Sequence, residues 1–530
     1  MHILVEERQS ERTVAKRPRR GLLILAIALL LGLTAAVVLY ARKWPFTLQA
    51  VTQSLEQQSG SPVKIGTFHS FYFPYPGCVA EGVTFRKSQH TPPLITIEKL
   101  TIVGSYGGLL THHLTSVRAE GFHLTVRKES AAPESWENLG RTAPGLTIGK
   151  LVADGAVVEF PAKQANQAPV VFRIPKLVLH DVADRQPLKF KATVYLPKPT
   201  AEVTITGNFG PWQVGQPGKT GLSGSYSVRD LDLGDFSGTA GKLSASGEFD
   251  GQLGSVKTHG TIDAPSFEVE QSKHPVHLKA MYAATVNGQN GDVSLDAVRA
   301  HFRKTTILGA GTVEGEGPEK GKMVSVQLSS RQARIEDLLW MFVSSNPPDM
   351  SGPILFRAKV QVPPENRAFL QKLKLQGNFG ISDAQYPNPE TQKNVDVLSA
   401  RARGGADVVE DINDKMGNDS YDPGRVVSNL KGDVAVSDAV AHLGKVTFAV
   451  PGADAQVSGT YNLQTKRVNL SGHMHMVAEL SKTTTGVKSF LLKVFEPFMH
   501  KSKRKESVVA ITIGGTYDHP TYGVVPRAEK

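Results

Sequence analysis

The chain has 530 residues, too many for one compact core and enough for several domains or one elongated repetitive body. Its net charge of +11 lies in two segments: residues 1–43 carry eight basic residues against three acidic, and residues 482–505 carry seven against one. The remainder is neutral and offers no basic stripe, so no nucleic-acid partner is expected, and the single cysteine, Cys78, excludes an intramolecular disulfide and multi-thiolate metal sites.

Residues 1–20 form a basic tail, and Gly21–Tyr40 is a run without charge, long enough as a helix to span about 30 Å of hydrocarbon. It exceeds the apolar region of a cleavable signal peptide and lacks a small-x-small site before Arg42, which predicts an uncleaved single-pass anchor. Six basic residues precede the run and two follow it, so the N-terminus is expected in the cytoplasm and the body outside it. Trp44 falls at the depth of an interfacial aromatic. Within residues 44–60, Leu48, Val51 and Leu55 are spaced as on a juxtamembrane amphipathic helix that Gly60 and Pro62 stop.

From residue 61 to 406 the dominant period is two. Phe122, Leu124 and Val126 alternate with polar neighbours, as do Val203 and Ile205, which predicts half-buried strands. Turn residues punctuate these runs, giving Gly-Asn-Phe-Gly at 207–210 and 377–380 and Gly-Thr strand openings at 260, 311, 459 and 515, which together read as a long antiparallel meander of hairpins. Short helices are expected at Ile335–Val343 and Glu365–Lys374. Residues 407–424 form an acidic loop whose ligand spacing fails the EF-hand pattern, because Lys415 stands where an oxygen ligand is needed.

The C-terminal region, 425–530, returns to strands, with Leu470, Met474 and Met476 on one face and His473 and His475 on the other. Within it, Val487, Phe490, Leu491, Val494, Phe495, Phe498 and Met499 follow helical spacing over 487–499 and precede the basic run 501–505. That helix suits either a cap over the end of the sheet or a membrane-surface element, and the cap is preferred because strands flank it on both sides. No nucleophile elbow or phosphate loop is present, and the two histidines lack a further ligand nearby; no catalytic, cofactor-binding or metal site is expected.

The phrases "SGSPVKIGTF" at 59–68, "HGTIDAPSF" at 259–267, "VSGTYNLQTKRVNLSGHMHM" at 457–476, "GVKSFLLKVFEPFM" at 486–499 and "ITIGGTYDHPTYGV" at 511–524 resemble the AsmA family of bacterial envelope proteins. The acidic loop has no counterpart in that pattern. The resemblance implies an inner-membrane protein whose body projects into the periplasm, with a role in outer-membrane biogenesis. It implies a curved, groove-like antiparallel sheet that holds phospholipid acyl chains, with envelope proteins as further partners. Phe122, Leu124, Val126, Val203, Ile205, Leu470, Met474 and Met476 are the expected lining. The competing expectation is a scaffold of closed β-sandwiches in which the same residues are dry core.

Overall fold

A computed structural model describes residues 44–86, 93–125, 146–160, 170–183, 186–213, 216–236, 238–315, 321–365, 367–402, 426–476, 507–516 and 520–524. The apolar run 21–40, Val126, the acidic loop and the helix expected at 487–499 lie outside them. Among the described residues no helix is long and apolar enough to cross a membrane.

The protein is mainly β, and the 26 strands among the described residues join in one large mixed sheet. The first strands are β1 (Val63–Lys64), β2 (Thr67–Phe71), β3 (Gly77–Phe85), β4 (Ile95–Gly104), β5 (His113–Glu120), β6 (His123–Thr125) and β7 (Thr147–Phe160). They are followed by β8 (Val170–Ala183), β9 (Leu188–Pro197), β10 (Thr200–Phe209), β11 (Gly221–Asp232), β12 (Thr239–Ala240), β13 (Lys242–Gln252) and β14 (Ser255–Val269). Next come β15 (Val276–Val286), β16 (Val293–Phe302), β17 (Thr305–Gly315), β18 (Lys322–Arg334), β19 (Pro353–Val362) and β20 (Lys374–Ala384). The last are β21 (Ser428–Ser437), β22 (Val440–Val450), β23 (Ala453–Asn462), β24 (Val468–Met476), β25 (Ser507–Gly515) and β26 (Pro520–Val524).

From β8 onward each strand pairs antiparallel with its predecessor, except that β11 pairs directly with β13 and the two-residue β12 lies against β14. The expected meander is therefore present, with one departure. Both β5 and β6 pair parallel with β7.

Irregular register recurs along the sheet, for instance between Leu295 and Val298, Ser330 and Ala333, and Leu443 and Val446. An extra residue at such a bulge bends the strand and increases its twist.

Helix α1 (Leu48–Ser59) starts at Thr47, whose hydroxyl accepts from the Ala50 amide, and ends at left-handed Gly60. It buries Val51 and packs Leu55, but Leu48 is exposed. Phe46, only 2% exposed, takes the inward place the spacing gave to Leu48. Helix α2 (Tyr106–Leu110) links β4 to β5. Helix α3 (Ile335–Phe342) matches expectation within a residue, whereas the one expected at 365–374 shrinks to α4 (Phe369–Lys372).

Helix α5 (Pro389–Ala402) has no counterpart among the expected helices. Asn388 supplies the acceptor for the Thr391 amide at its start, and Val395, Leu398 and Ala402 pack at helical spacing on Val450, Ala455, Met474 and Ile511.

Candidate functional site

Residues opposite one another in a ladder share a face of the sheet, so register can be followed from strand to strand. One such file starts at Phe68 and passes through Ala80, Leu100, Ala119, Ala153, Leu177 and Ala192 to Ile205. It continues through Tyr226, Gly247, Gly260, Tyr282, Val298, Gly309, Leu328 and Ala358. It ends through Gly377, Val434, Leu443, Gly459, Leu470, Ile513 and Tyr522. Across the whole meander it contains no charge, and tyrosines are its only hydrogen-bonding side chains.

A second file lies two residues to one side. It runs from Phe190 through Gly207, Gly224, Phe249, Thr258, Ala284 and Leu295 to Gly311, then through Val326, Val360, Leu375, Val436, Ala441 and Tyr461 to Val468. Thr258 is its one clearly polar member, and its hydroxyl donates to the Glu248 carbonyl at 2.9 Å. The bulges keep this phase. In β22, Leu443 and Val446 both belong to the apolar set although they stand three positions apart, an odd offset that regular alternation would send to opposite faces.

Burial along the first file divides it in two. Ala80, Leu100, Ala119, Ala153 and Ala192 are buried, the first three within a cluster closed by Val63, Phe85, Leu55 of α1 and Phe122. From Ile205 to Ile513 every member is half-buried, neither solvated nor sealed. The opposite face is polar: Glu248 meets His259 at 3.7 Å, and Asp263 meets His277 at 2.5 Å.

Most of the expected lining residues fall on the apolar face. Ile205 and Leu470 are members of the first file; Val203 pairs with Val194 and Val228 beside it, and Met476 pairs with Ala453. Phe122 and Leu124 belong to the N-terminal end, where Phe122 joins the closed cluster and Leu124 pairs with Ile95 and Val158. Met474 departs from expectation. It is 5% exposed, sealed beneath Val395 and Leu398 of α5, and so is core.

The glycines also depart from their sequence reading. Gly207, Gly260, Gly311, Gly377 and Gly459 lie inside strands on the apolar face and not in turns or at strand openings. A Cβ on Gly311 would stand 2.1 Å from the Ser325 carbonyl oxygen, and one on Gly472 would stand 1.9 Å from that of Gln456. Adjacent backbones approach too closely on this face for any side chain at those positions. Tyr226 covers another bare pair, since a Cβ on Gly247 would meet its hydroxyl.

An open hollow of about 760 Å³ crosses β17–β20; beside Gly309 and Leu328 of the file its lining takes in Gln327, Arg357, Lys359 and Gln376 of the opposite face, so it is not confined to the apolar side. His473 and His475 are exposed on the polar face, and no group of metal-ligating side chains occurs among the described residues. The thiol of Cys78 is pushed up to about 12 by burial. The buried Asp337 is structural: it pairs with Arg303 at 3.0 Å and accepts from the Lys304 amide and the Thr305 hydroxyl, pinning α3 to the β16–β17 turn.

No family model, no curated protein and no solved structure matches this chain, so the reading of the apolar file rests on its own residues.

Proposed function

We propose that this protein is a membrane-anchored, periplasmic, non-enzymatic carrier of phospholipid, in which the sheet curls into a trough and acyl chains lie along the apolar files. The observation that carries the reading is the half-burial of the first file from Ile205 to Ile513. In a closed sandwich, side chains of two inner faces interdigitate and leave the middle of each file dry. Here no second sheet covers the file among the described residues, and large sheets of this kind curl when they exceed about ten strands.

Bulges and pinched glycines provide the means of curling, since both let neighbouring strands turn sharply about one face. With strands about 4.8 Å apart, the ladder has a length on the order of 100 Å. That is several times the length of a lipid tail and suits passage of one chain after another. The files supply apolar surface without a polar group that would bind a headgroup, so headgroups would remain in water at the open side. The AsmA-like phrases and the apolar run 21–40 support placing this body beside the inner membrane of a bacterial envelope, in outer-membrane biogenesis.

Photo-crosslinking residues at Leu328 and Leu470 in cells, read by mass spectrometry, test the proposal. Phospholipid adducts are expected at both positions and not at Gln327 and Ser471 on the other face of the same strands. Adducts at neither apolar position, with protein crosslinks in their place, would favour the scaffold reading.

A further inference from the structure

The densest exposed apolar surface among the described residues lies away from the files, at the corner where the described chain begins. The β2–β3 turn carries Tyr72, Phe73 and Tyr75, and α2 carries Tyr106 and Leu110. Phe73 is 89% exposed and Leu110 72%; one such side chain alone would be ordinary, but a group of large apolar neighbours on the surface marks a contact site.

The group is built as a unit. Trp44 stacks on Tyr72 with ring centroids 5.1 Å apart and meets Phe46 edge-on at 5.7 Å. The Tyr106 hydroxyl donates to the Tyr72 carbonyl at 2.5 Å, and the Gly104 amide donates to the Pro76 carbonyl at 2.8 Å, tying the turn to the start of α2. Beneath it lies the buried cluster of Phe46, Val51 and Cys78. The exposed rings therefore stand on a fixed base, and do not sample solvent from a loose loop.

Position in the chain identifies what covers them. Trp44 follows the uncharged run 21–40 after only Ala41, Arg42 and Lys43. If that run crosses a bilayer, three residues span at most about 10 Å, so Trp44 and the rings stacked on it cannot leave the interfacial zone. Tyrosine and tryptophan are the side chains enriched at that depth, where an apolar body meets hydrocarbon and a polar tip meets water, and Arg42 and Lys43 suit anionic headgroups beside them.

We propose that Tyr72, Phe73, Tyr75, Tyr106 and Leu110 form a collar that sits in the headgroup region of the bilayer and fixes the N-terminal end of the sheet against the membrane. The proposal rests on residues 21–40 spanning the membrane and is independent of lipid passage along the files. It gives the protein a second lipid contact, which holds the angle of the sheet to the bilayer where a single flexible tether would leave it free.

The test uses the full chain in vesicles of phosphatidylethanolamine and phosphatidylglycerol, with an environment-sensitive fluorophore on one introduced cysteine at a time. Native Cys78 is fully buried and stays unlabelled. Phe73→Cys reports the collar, Leu30→Cys the anchor, and Met281→Cys an exposed strand site far along the sheet. Lipids carrying a nitroxide near the headgroup should quench the probe at 73 by about half or more and leave that at 281 nearly unchanged. A probe at 73 that responds only to aqueous iodide, while that at 30 is quenched by nitroxide deeper in the acyl chains, overturns the collar and keeps the anchor. Shielding of 73 from both quenchers assigns the surface to a protein contact and also overturns it. Absence of lipid quenching at both 30 and 73 removes the anchor and the collar together.

Discussion

Replacing Leu328 or Leu470 by glutamate places a carboxylate in the middle of the apolar file while leaving the strand pairs Gly309–Leu328 and Gly459–Leu470 intact. Both leucines are partly exposed, so the hydrophobic stabilisation removed is somewhat less than that of a fully buried leucine, roughly 2 kcal/mol. For a body this large that corresponds to a melting shift of no more than about 4 °C. An acyl chain moving past the same position must strip water from the charge. A penalty of about 3 kcal/mol for that step slows passage by roughly two powers of ten. The assay is transfer of a fluorescent phospholipid from vesicles carrying the full chain to acceptor vesicles, beside thermal melting of each variant. Gln327→Glu and Ser471→Glu, on the exposed face of the same strands, are the matched controls. Transfer by the file variants at the rate of their controls rules out the trough. So does loss of a cooperative melt in both file variants, because that is how a dry core responds.

Four further outcomes concern particular side chains. Met474→Glu buries a carboxylate under Val395 and Leu398 and should lower the melting temperature far more than Leu470→Glu; equal shifts would remove α5 from that face. Asp337→Ala leaves the Lys304 amide and the Thr305 hydroxyl without their acceptor, while the freed Arg303 is partly exposed, and should cost about 1–3 kcal/mol, measured by denaturant titration of α3-linked fluorescence from Trp340. Gly311→Val sets a branched side chain where even Cβ would lie 2.1 Å from a carbonyl, so it should destabilise by several kcal/mol, whereas Gly155→Ala, with open space around it but a left-handed backbone, should cost about 1 kcal/mol. Cys78, pushed up to about 12 by burial from an ordinary value of 9.0, stays protonated in the fold, so its contribution to stability is complete below pH 9 and lost as pH rises toward 12. Maleimide should leave the native chain unmodified at pH 8 and label it in denaturant, and Cys78→Ala should flatten the alkaline fall in stability.

The β character was legible because alternation in segments such as Val468–Met476 is strict and each phase has one polarity. The end of α1 at Gly60 was legible too, and Val51 and Leu55 face inward as expected; only Leu48 does not, because Phe46, just outside the helix, fills its place. The strand glycines were misread because a glycine in a turn and a glycine under a close backbone have the same composition. Phase distinguishes them: Gly207 continues Val203 and Ile205, and Gly459 continues Ala455 and Val457. Helix α5 carried a readable start at Asn388-Pro389, but its buried Gln392, Asp396 and Ser399 blur the apolar stripe. Gln392 is satisfied by Asp396 at 2.9 Å and the Val426 carbonyl at 2.8 Å, partners that only the fold supplies. The same holds for Met474, whose alternation places it on the apolar face but cannot show that a helix lies over it. The parallel pairing of β5 with β7 has no local signature.

The neighbour-by-neighbour connectivity of the meander has a kinetic and an evolutionary side. Nearly all ladders beyond β7 join segments adjacent in sequence, which gives low contact order for an all-β chain, so loop closure is inexpensive at each step. A chain synthesised from its N-terminus can then zip strand by strand onto the ladder as each hairpin emerges, and the edge waiting at any moment is covered by the next strand to arrive. Because such a sheet behaves as a one-dimensional array, its reach is adjustable in whole hairpins. Excising β15 and β16 would bring β14 against β17 with their antiparallel sense preserved, shortening the body by about 10 Å without disturbing either end.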